Sequence, residues 1–107
     1  MNKWLGTGNL TKDVELRYNG EQAIAKFTLA SNDLKKANFI PVTVFGRNAE
    51  ACNMYLKKGS KAGVIGHIDT GSYEKDGRTI YTWEVIADAP VEFLDRKEKE
   101  EKLDIPF

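Results

Sequence analysis

The sequence has few of the residue types on which catalytic, metal-binding and membrane proteins depend. It contains one cysteine, Cys52, and one histidine, His67, so it forms no internal disulfide and has no set of spaced His/Cys metal ligands. It has no phosphate-binding glycine loop, no secretory signal at its start, and no apolar run near the roughly 20 residues that cross a membrane. We therefore expect a cytoplasmic protein that is not an enzyme and uses no metal or cofactor.

Charge is balanced overall but unevenly distributed along the 107 residues, a length that suits one domain. Residues 1–61 contain ten Lys/Arg and five Asp/Glu. Residues 62–94 contain two basic and six acidic side chains, and residues 95–107 contain four and five. The neutral total therefore conceals a basic N-terminal half, which favours a nucleic-acid partner only if its cations share one face.

Most of the chain has the alternating apolar and polar pattern of β-strands. Asn19-Gly20 and Asp76-Gly77 are hairpin turn signals. Pro41 lacks an N–H, so its strand is expected to have an unpaired side or a bulge there. The predicted strands cover residues 2–10, 21–31, 39–46, 61–72 and 78–93, with a connecting loop at residues 32–38.

One helix is predicted between the third and fourth strands. Asn48 is suited to cap its start and Gly59 to end it, and Ala49, Cys52 and Leu56 form one apolar stripe. Three strands, one helix and two strands are the element order of the OB-fold, a five-stranded all-β barrel. The highly charged residues 95–102 are expected to form a flexible tail outside this barrel.

The third predicted strand places two aromatic rings on its outer side. Its residues 40, 42 and 44 are aliphatic and suit the core, whereas Phe39, Thr43 and Phe45 point the other way. Exposed rings are costly unless something covers them, and each stacked base contributes roughly 1–3 kcal/mol whatever its identity. A protein partner is the alternative cover for either ring. Arg47 follows directly, where it can pair with a phosphate.

Other side chains extend this face. Lys26 and Thr28 alternate with apolar neighbours in the second strand, Tyr73 lies at the base of the last hairpin, and Lys3 and Arg17 flank the first strand. A basic groove with aromatic steps binds single strands without sequence preference. Phe27 and Tyr81 are assigned to the core. Trp4 and Trp83 have no assignment from the sequence.

Four sequence runs together resemble the bacterial single-stranded DNA-binding (SSB) family. They are GNLTKDVELRY at residues 8–18, VTVFGRNAE at 42–50, YLKKGSKAGVIGHI at 55–68 and YTWEVIAD at 81–88. The likeness covers residues 2–94, and the order and spacing of the runs are more specific than any single run. It implies an OB-fold domain over residues 1–94 that binds single-stranded DNA.

The resemblance also implies which residues bind and how the protein works. The family's base-stacking positions fall on Phe39, Phe45 and Tyr73. Its basic and polar contacts fall on Lys3, Arg17, Lys26, Thr28 and Arg47, and Thr43 completes the predicted set because it shares the same strand face. The family implies a homotetramer with DNA wrapped around it, association with the nucleoid, and roles in DNA replication, recombination and repair.

The C-terminus carries a further feature of the resemblance. SSB proteins typically end in an acidic segment tipped with Ile/Leu-Pro-Phe, and this chain ends Asp104, Ile105, Pro106, Phe107. By resemblance, this tip of the tail at residues 95–107 docks replication, recombination and repair proteins. Phe107 would fill an apolar pocket while its carboxylate and Asp104 meet basic residues. The family's linker is usually long and uncharged, whereas here it is only residues 95–102.

Other hypotheses stay open from the sequence. An OB-fold interaction module of a replication or primosome assembly would present the aromatic face to a protein. RNA suits the same face as DNA, because OB-folds accept either nucleic acid. A small nuclease has least support, because no residue is singled out as a catalyst.

Overall fold

The computed structural model describes residues 1–31 and 37–94, and this part of the chain is all-β with one short helix. The predicted tail and tip, and most of the predicted 32–38 loop, lie outside the described residues. In chain order the elements are β1 Trp4–Leu10, β2 Glu15–Asn19, β3 Gln22–Ser31, β4 Asn38–Phe45, α1 Arg47–Tyr55, β5 Lys61–Lys75, β6 Arg78–Ala87 and β7 Glu92–Phe93. Within these described ranges, no helix is long and apolar enough to cross a membrane.

Strand pairing forms a closed circuit. β1 pairs with β3, β3 with β4, β4 with β6, β6 with β5, and β5 pairs again with β1. All of these pairs are antiparallel except β4 with β6, which is parallel. β2 joins the edge of β3, and the short β7 joins β5. This architecture is consistent with the OB-fold expected from the sequence.

The core lies between the inward sides of β3, β4, β5 and β6 and the helix. Leu29, Val42, Val44 and Val85 are fully buried, and Cys52 reaches the same core from α1. The alternation predicted for β3 is confirmed, because all four of its predicted inward residues are buried. Apolar burial of this kind provides most of the stability of a small domain.

The helix is shorter than the sequence predicted. It begins after Gly46, which adopts a φ of 76°, and it has no side-chain cap, so the expected capping role of Asn48 is wrong. It ends at Tyr55, and Gly59, with a φ of 91°, lies in the turn that follows. The predicted apolar stripe is confirmed, since Cys52 and its neighbours on that stripe are buried, and burial raises the pKa of the Cys52 thiol to about 12.

Two strands were not predicted, and one aromatic residue was misplaced. β2 has only one residue that is not exposed, Leu16, so it gives no alternation to detect. β7 has only two residues. Tyr81 is 81% exposed rather than part of the core, because the β5–β6 hairpin extends past the core and both of its sides meet solvent. Phe27 is buried as expected.

The expectation of an unpaired side at Pro41 is confirmed. β4 and β6 are in register only at Val42–Val85 and Thr43–Ile86, so Pro41 lies just before their ladder begins. Its partner on β3, Thr28, accepts a hydrogen bond from the Thr11 N–H at 3.0 Å and so directs its backbone away from β4. The missing N–H of Pro41 therefore leaves no broken bond in the sheet.

Candidate nucleic-acid interface

Most of the predicted binding residues lie on the side of β2, β3 and β4 that faces away from the core. Opposite residues in an antiparallel pair lie on the same side of the sheet. Ile24 is opposite both Arg17 and Phe45, and Lys26 is opposite Thr43. We call this surface the outer face, and its side chains include Glu15, Arg17, Ile24, Lys26, Thr28, Ala30, Phe39, Pro41, Thr43 and Phe45.

Two exposed rings mark the ends of the outer face. Phe39 is 59% exposed and Phe45 is 39% exposed. They are six residues apart on the same strand, which corresponds to about 20 Å. Bases stacked on both rings would therefore belong to different nucleotides of one strand rather than to neighbours in a single stack.

Tyr73 places a third ring on the continuation of this surface. The Thr43 hydroxyl donates a hydrogen bond to Glu84 of β6, so that side of the β5–β6 hairpin adjoins the outer face. Tyr73 is opposite Ile80, which lies on the same side of β6 as Glu84. The Tyr73 side chain is 53% exposed. Its ring therefore lies on the β5–β6 hairpin, past the end of β4, on the side that adjoins the outer face.

The cations of the outer face are accessible. Lys26 lies 3.8 Å from Glu84, measured from Nζ to Oε1, and its side chain is 57% exposed. Surface ion pairs of this kind are weak, so Lys26 can exchange the carboxylate for a phosphate. Arg17 is exposed in the middle of β2, and Arg47 is exposed at the first position of α1, two residues after Phe45.

Two predicted residues are placed differently from the rest. Thr43 is only 3% exposed, and its hydroxyl is engaged by Glu84. Lys3 is exposed but precedes β1, and its neighbour Asn2 exchanges two hydrogen bonds with the backbone of Ile68, at 2.7 and 2.9 Å. Those bonds fix the N-terminal segment beside β5 rather than in the β3–β4 rows. The predicted tip, Asp104 to Phe107, lies outside the described residues.

Sequence reasoning missed the acidic side chains on this surface. Glu15 lies opposite Lys26 on the outer face, and Glu84 contacts that face from β6. Asp69 lies opposite Glu84 on β5. Alternation around the buried Val85 gives the side on which Glu84 projects, but its approach to Lys26 depends on the parallel β4–β6 pairing. That pairing joins residues about 40 positions apart, and no local pattern reveals it.

One titratable pair lies away from the outer face. His67 and Asp88 form a half-exposed pair with 2.9 Å between Nδ1 and Oδ1. Across residues 1–31 and 37–94, no three His, Cys, Asp or Glu side chains are grouped as metal ligands.

An all-β protein with exposed rings and cations on one open face has the arrangement that binds oligonucleotides in OB-fold proteins. Comparison with known proteins identifies the family within this class of OB-fold proteins. The model of the single-strand binding protein family matches residues 1–94. This chain therefore belongs to the single-strand binding protein family.

Curated relatives support this membership. The chain is 42% identical over 106 residues to a single-stranded DNA-binding protein 1 of Staphylococcus aureus, covering 91% of this chain and 67% of that protein. It is 43% identical over 104 residues to a single-stranded DNA-binding protein 2 of Clostridium acetobutylicum, covering 89% and 77%. A Bacillus cereus single-stranded DNA-binding protein is 44% identical over 105 residues, with 89% and 61% covered. The chain thus spans roughly two thirds of the length of these relatives.

Proposed function

We propose that this chain binds single-stranded DNA without sequence preference through the outer face and Tyr73. The observation that carries the proposal is three exposed rings, Phe39, Phe45 and Tyr73, on one continuous surface with Lys26 and other cations. Stacking on such rings tolerates every base, and the cations neutralise phosphates. Together these two interactions hold an unpaired strand and keep it from re-pairing.

The predicted contacts divide into three kinds in this proposal. Bases stack on the three rings, and phosphates meet Arg17, Lys26, Arg47 and, from the N-terminal segment, Lys3. Thr28, two residues after Lys26 on β3, provides a polar contact to the DNA. Thr43 is buried and does not touch the DNA itself, but its hydroxyl holds Glu84 in place at the edge of the outer face.

The domain plan and the cellular role belong to the same proposal. The circuit of strand pairing is the five-stranded OB-fold barrel, residues 1–94 form the DNA-binding domain, and residues 95–107 form the charged tail. The tip, Asp104 to Phe107, recruits replication, recombination and repair proteins, and the barrel assembles as a homotetramer in the nucleoid. The family membership supports the assembly, and so does an exposed apolar patch formed by Leu5 of β1 and Ile65 of β5.

A fluorescence titration tests the proposal. A labelled oligothymidine, a duplex of the same length and the matching RNA would each be titrated with the protein at two salt concentrations. We expect tight binding to the single DNA strand alone, with log affinity falling against log salt by about 0.7 per phosphate contact. Equal or absent binding to all three would reject it and move the function to a protein partner on the outer face. Preference for the RNA would make RNA the ligand.

A further inference from the structure

Trp83 is a large exposed ring that lies next to the outer face and is not part of it. It precedes Glu84 on β6, and 44% of it is exposed. It lines a groove of about 280 Å³ that also includes Lys26 and Thr28. We propose that Trp83 is a further base-stacking residue and that this groove takes one nucleobase of a bound single strand. The inference rests on the proposed function and adds a specific subsite to it.

The groove arises from the strand pairing itself. β4 and β6 are paired at only two register positions, beginning at Val42 and Val85, and they diverge before that point. Pro41, at the mouth of this fork, has no N–H with which to extend the ladder towards β6. The connection between β1 and β2 supplies the far wall, through Lys12 and Asp13. An opening between β4 and β6 at this place therefore follows from their short pairing.

The charges in the groove fit a base better than a phosphate. Its lining includes two lysines and three carboxylates, namely Lys12, Lys26, Asp13, Glu15 and Glu84. The carboxylates outnumber the lysines, so a phosphate deep in the groove would be repelled. Carboxylate oxygens accept hydrogen bonds from the amino and imino N–H groups of bases. The base therefore enters the groove while its phosphates stay outside, within reach of the lysines.

Several lining groups are already held in place. Asp13 accepts a hydrogen bond from the Lys58 N–H at 2.8 Å. Glu84 is held by the Thr43 hydroxyl and by Lys26. A site whose polar walls are fixed before binding loses less conformational entropy when the ligand arrives.

The exposed aromatic surface continues beyond the groove. Tyr81 lies two residues before Trp83, on the same side of β6. Both residues line a second, open depression, together with Thr70 and Ser72 of β5. A strand that leaves the groove past Trp83 thus reaches another exposed ring on the hairpin.

Intrinsic fluorescence provides a direct test, because Trp4 and Trp83 are the only tryptophans in the chain. The Trp4→Phe variant leaves Trp83 as the sole reporter, and a base stacked on the ring quenches its emission. The Trp83→Phe variant is the matched control. Its remaining indole, Trp4, packs against the core and over Gly6, away from the groove. We expect oligothymidine to quench Trp83 strongly and Trp4 weakly, and an abasic strand of equal length to quench neither.

Affinity gives the second readout. We expect Trp83→Val to weaken oligothymidine binding by about 5- to 160-fold, the equivalent of one lost base stack, and Trp83→Tyr to retain most of the affinity. Each variant must show the wild-type circular dichroism spectrum and melting temperature.

The outcomes separate this inference from the proposed function. If a labelled oligothymidine binds the Trp4→Phe protein but Trp83 is not quenched, the base subsite is wrong and the outer face stands. If Trp83 emission changes on protein dilution without DNA, a second copy of the chain covers the ring and the subsite is also wrong. If the wild-type protein binds no single strand, the proposed function fails and the subsite with it.

Discussion

Strand parity determines what each phenyl ring in this sheet does. Phe27 and Phe39 lie on neighbouring strands, yet Phe27 is 6% exposed and Phe39 is 59% exposed. Phe27 is opposite Val42 on the inward side, whereas Phe39 is opposite Ala30 on the outer face. The Phe27 ring stabilises the core, whereas the Phe39 ring is exposed to solvent in the free protein. Phe39, Phe45 and Tyr73 should therefore be important for binding and nearly dispensable for stability.

Removing an exposed ring should weaken DNA binding without unfolding the protein. We expect Phe39→Ala and Tyr73→Ala each to reduce affinity for oligothymidine by roughly 1–3 kcal/mol, the value of one base–aromatic stack. Fluorescence anisotropy measures the affinity, and circular dichroism checks the fold. Tyr55→Ala is the matched control, because Tyr55 is 62% exposed but lies on α1 against Phe93. Normal binding by both outer-face variants would show that these rings are not stacking positions.

Glu84 should act as a brake on DNA binding. Its carboxylate neutralises Lys26 on the surface that is proposed to meet phosphates. Glu84→Gln keeps an oxygen that accepts the Thr43 hydrogen bond but removes the charge. We expect the variant to bind oligothymidine more tightly, by about 0.2–1 kcal/mol, because Lys26 no longer has to leave an ion pair. The salt dependence should become steeper, by at most about 0.7 in the log–log slope.

Glu92→Gln controls for the change in net charge. Glu92 is exposed on β7, which pairs with β5 at Gly63 and is not part of the outer face. It lines the depression beside Leu5 and Ile65, so the two affinities are compared on a short oligothymidine that one copy of the chain binds. An equal gain in affinity from both variants would mean that the effect comes from total charge. An affinity loss in Glu84→Gln would instead mean that the carboxylate gains more as a hydrogen-bond acceptor for a base in the groove than it costs by neutralising Lys26.

At the scale of the element, the sequence predicts structure well wherever one side of a strand is buried. β3 alternates clearly, so its outer-face residues could be identified in advance, whereas in β4 the side chain of Thr43 is buried although it lies on the outer face. β2 gave no such signal, because its place depends on backbone pairing with β3. Tyr81 was misassigned because alternation identifies a side of the strand but does not say how far the core extends along a hairpin. The fork between β4 and β6 is non-local, so the groove beside Trp83 could not be foreseen.

Close pairing of β5 and β6 requires a glycine at position 66. It lies opposite Ala87, and a Cβ at this position would collide with the backbone carbonyl of Ile86. Backbone cannot rotate away as a side chain can, so Gly66→Ala must push β6 from β5. We expect a loss of roughly 1–3 kcal/mol or more in the free energy of unfolding, measured by urea denaturation.

Gly71→Ala is the comparison on the same strand. There the nearest atom is the Thr82 hydroxyl at 3.3 Å, on an exposed side chain that can rotate. Its urea midpoint should stay near that of the wild type. Equal midpoints for the two alanine variants would contradict the close-approach argument.

At the scale of the whole molecule, the outer face accounts for only part of the exposed apolar surface. Leu5 is 68% exposed, Ile65 is 37% exposed and Leu94 is 43% exposed. Leu5 and Ile65 are opposite each other on β1 and β5, and all three residues line one shallow depression. An apolar patch rimmed by polar residues marks a contact surface. In the proposed homotetramer, this patch is where copies of the chain meet.

A charge placed in that patch should dissociate the assembly. We expect Leu5→Glu to lower the mass measured by sedimentation velocity from four chains to one or two, because the buried carboxylate would lack a partner. Met54→Glu is the control, since Met54 is 70% exposed on α1, away from β1 and β5, and should remain tetrameric. The dissociated variant should still bind a short oligothymidine through its intact outer face. It should lose affinity for a long strand, because that affinity depends on linked sites on several copies. A tetrameric Leu5→Glu protein would place the subunit contact elsewhere, and a wild type that sediments as a single chain would overturn the assembly itself.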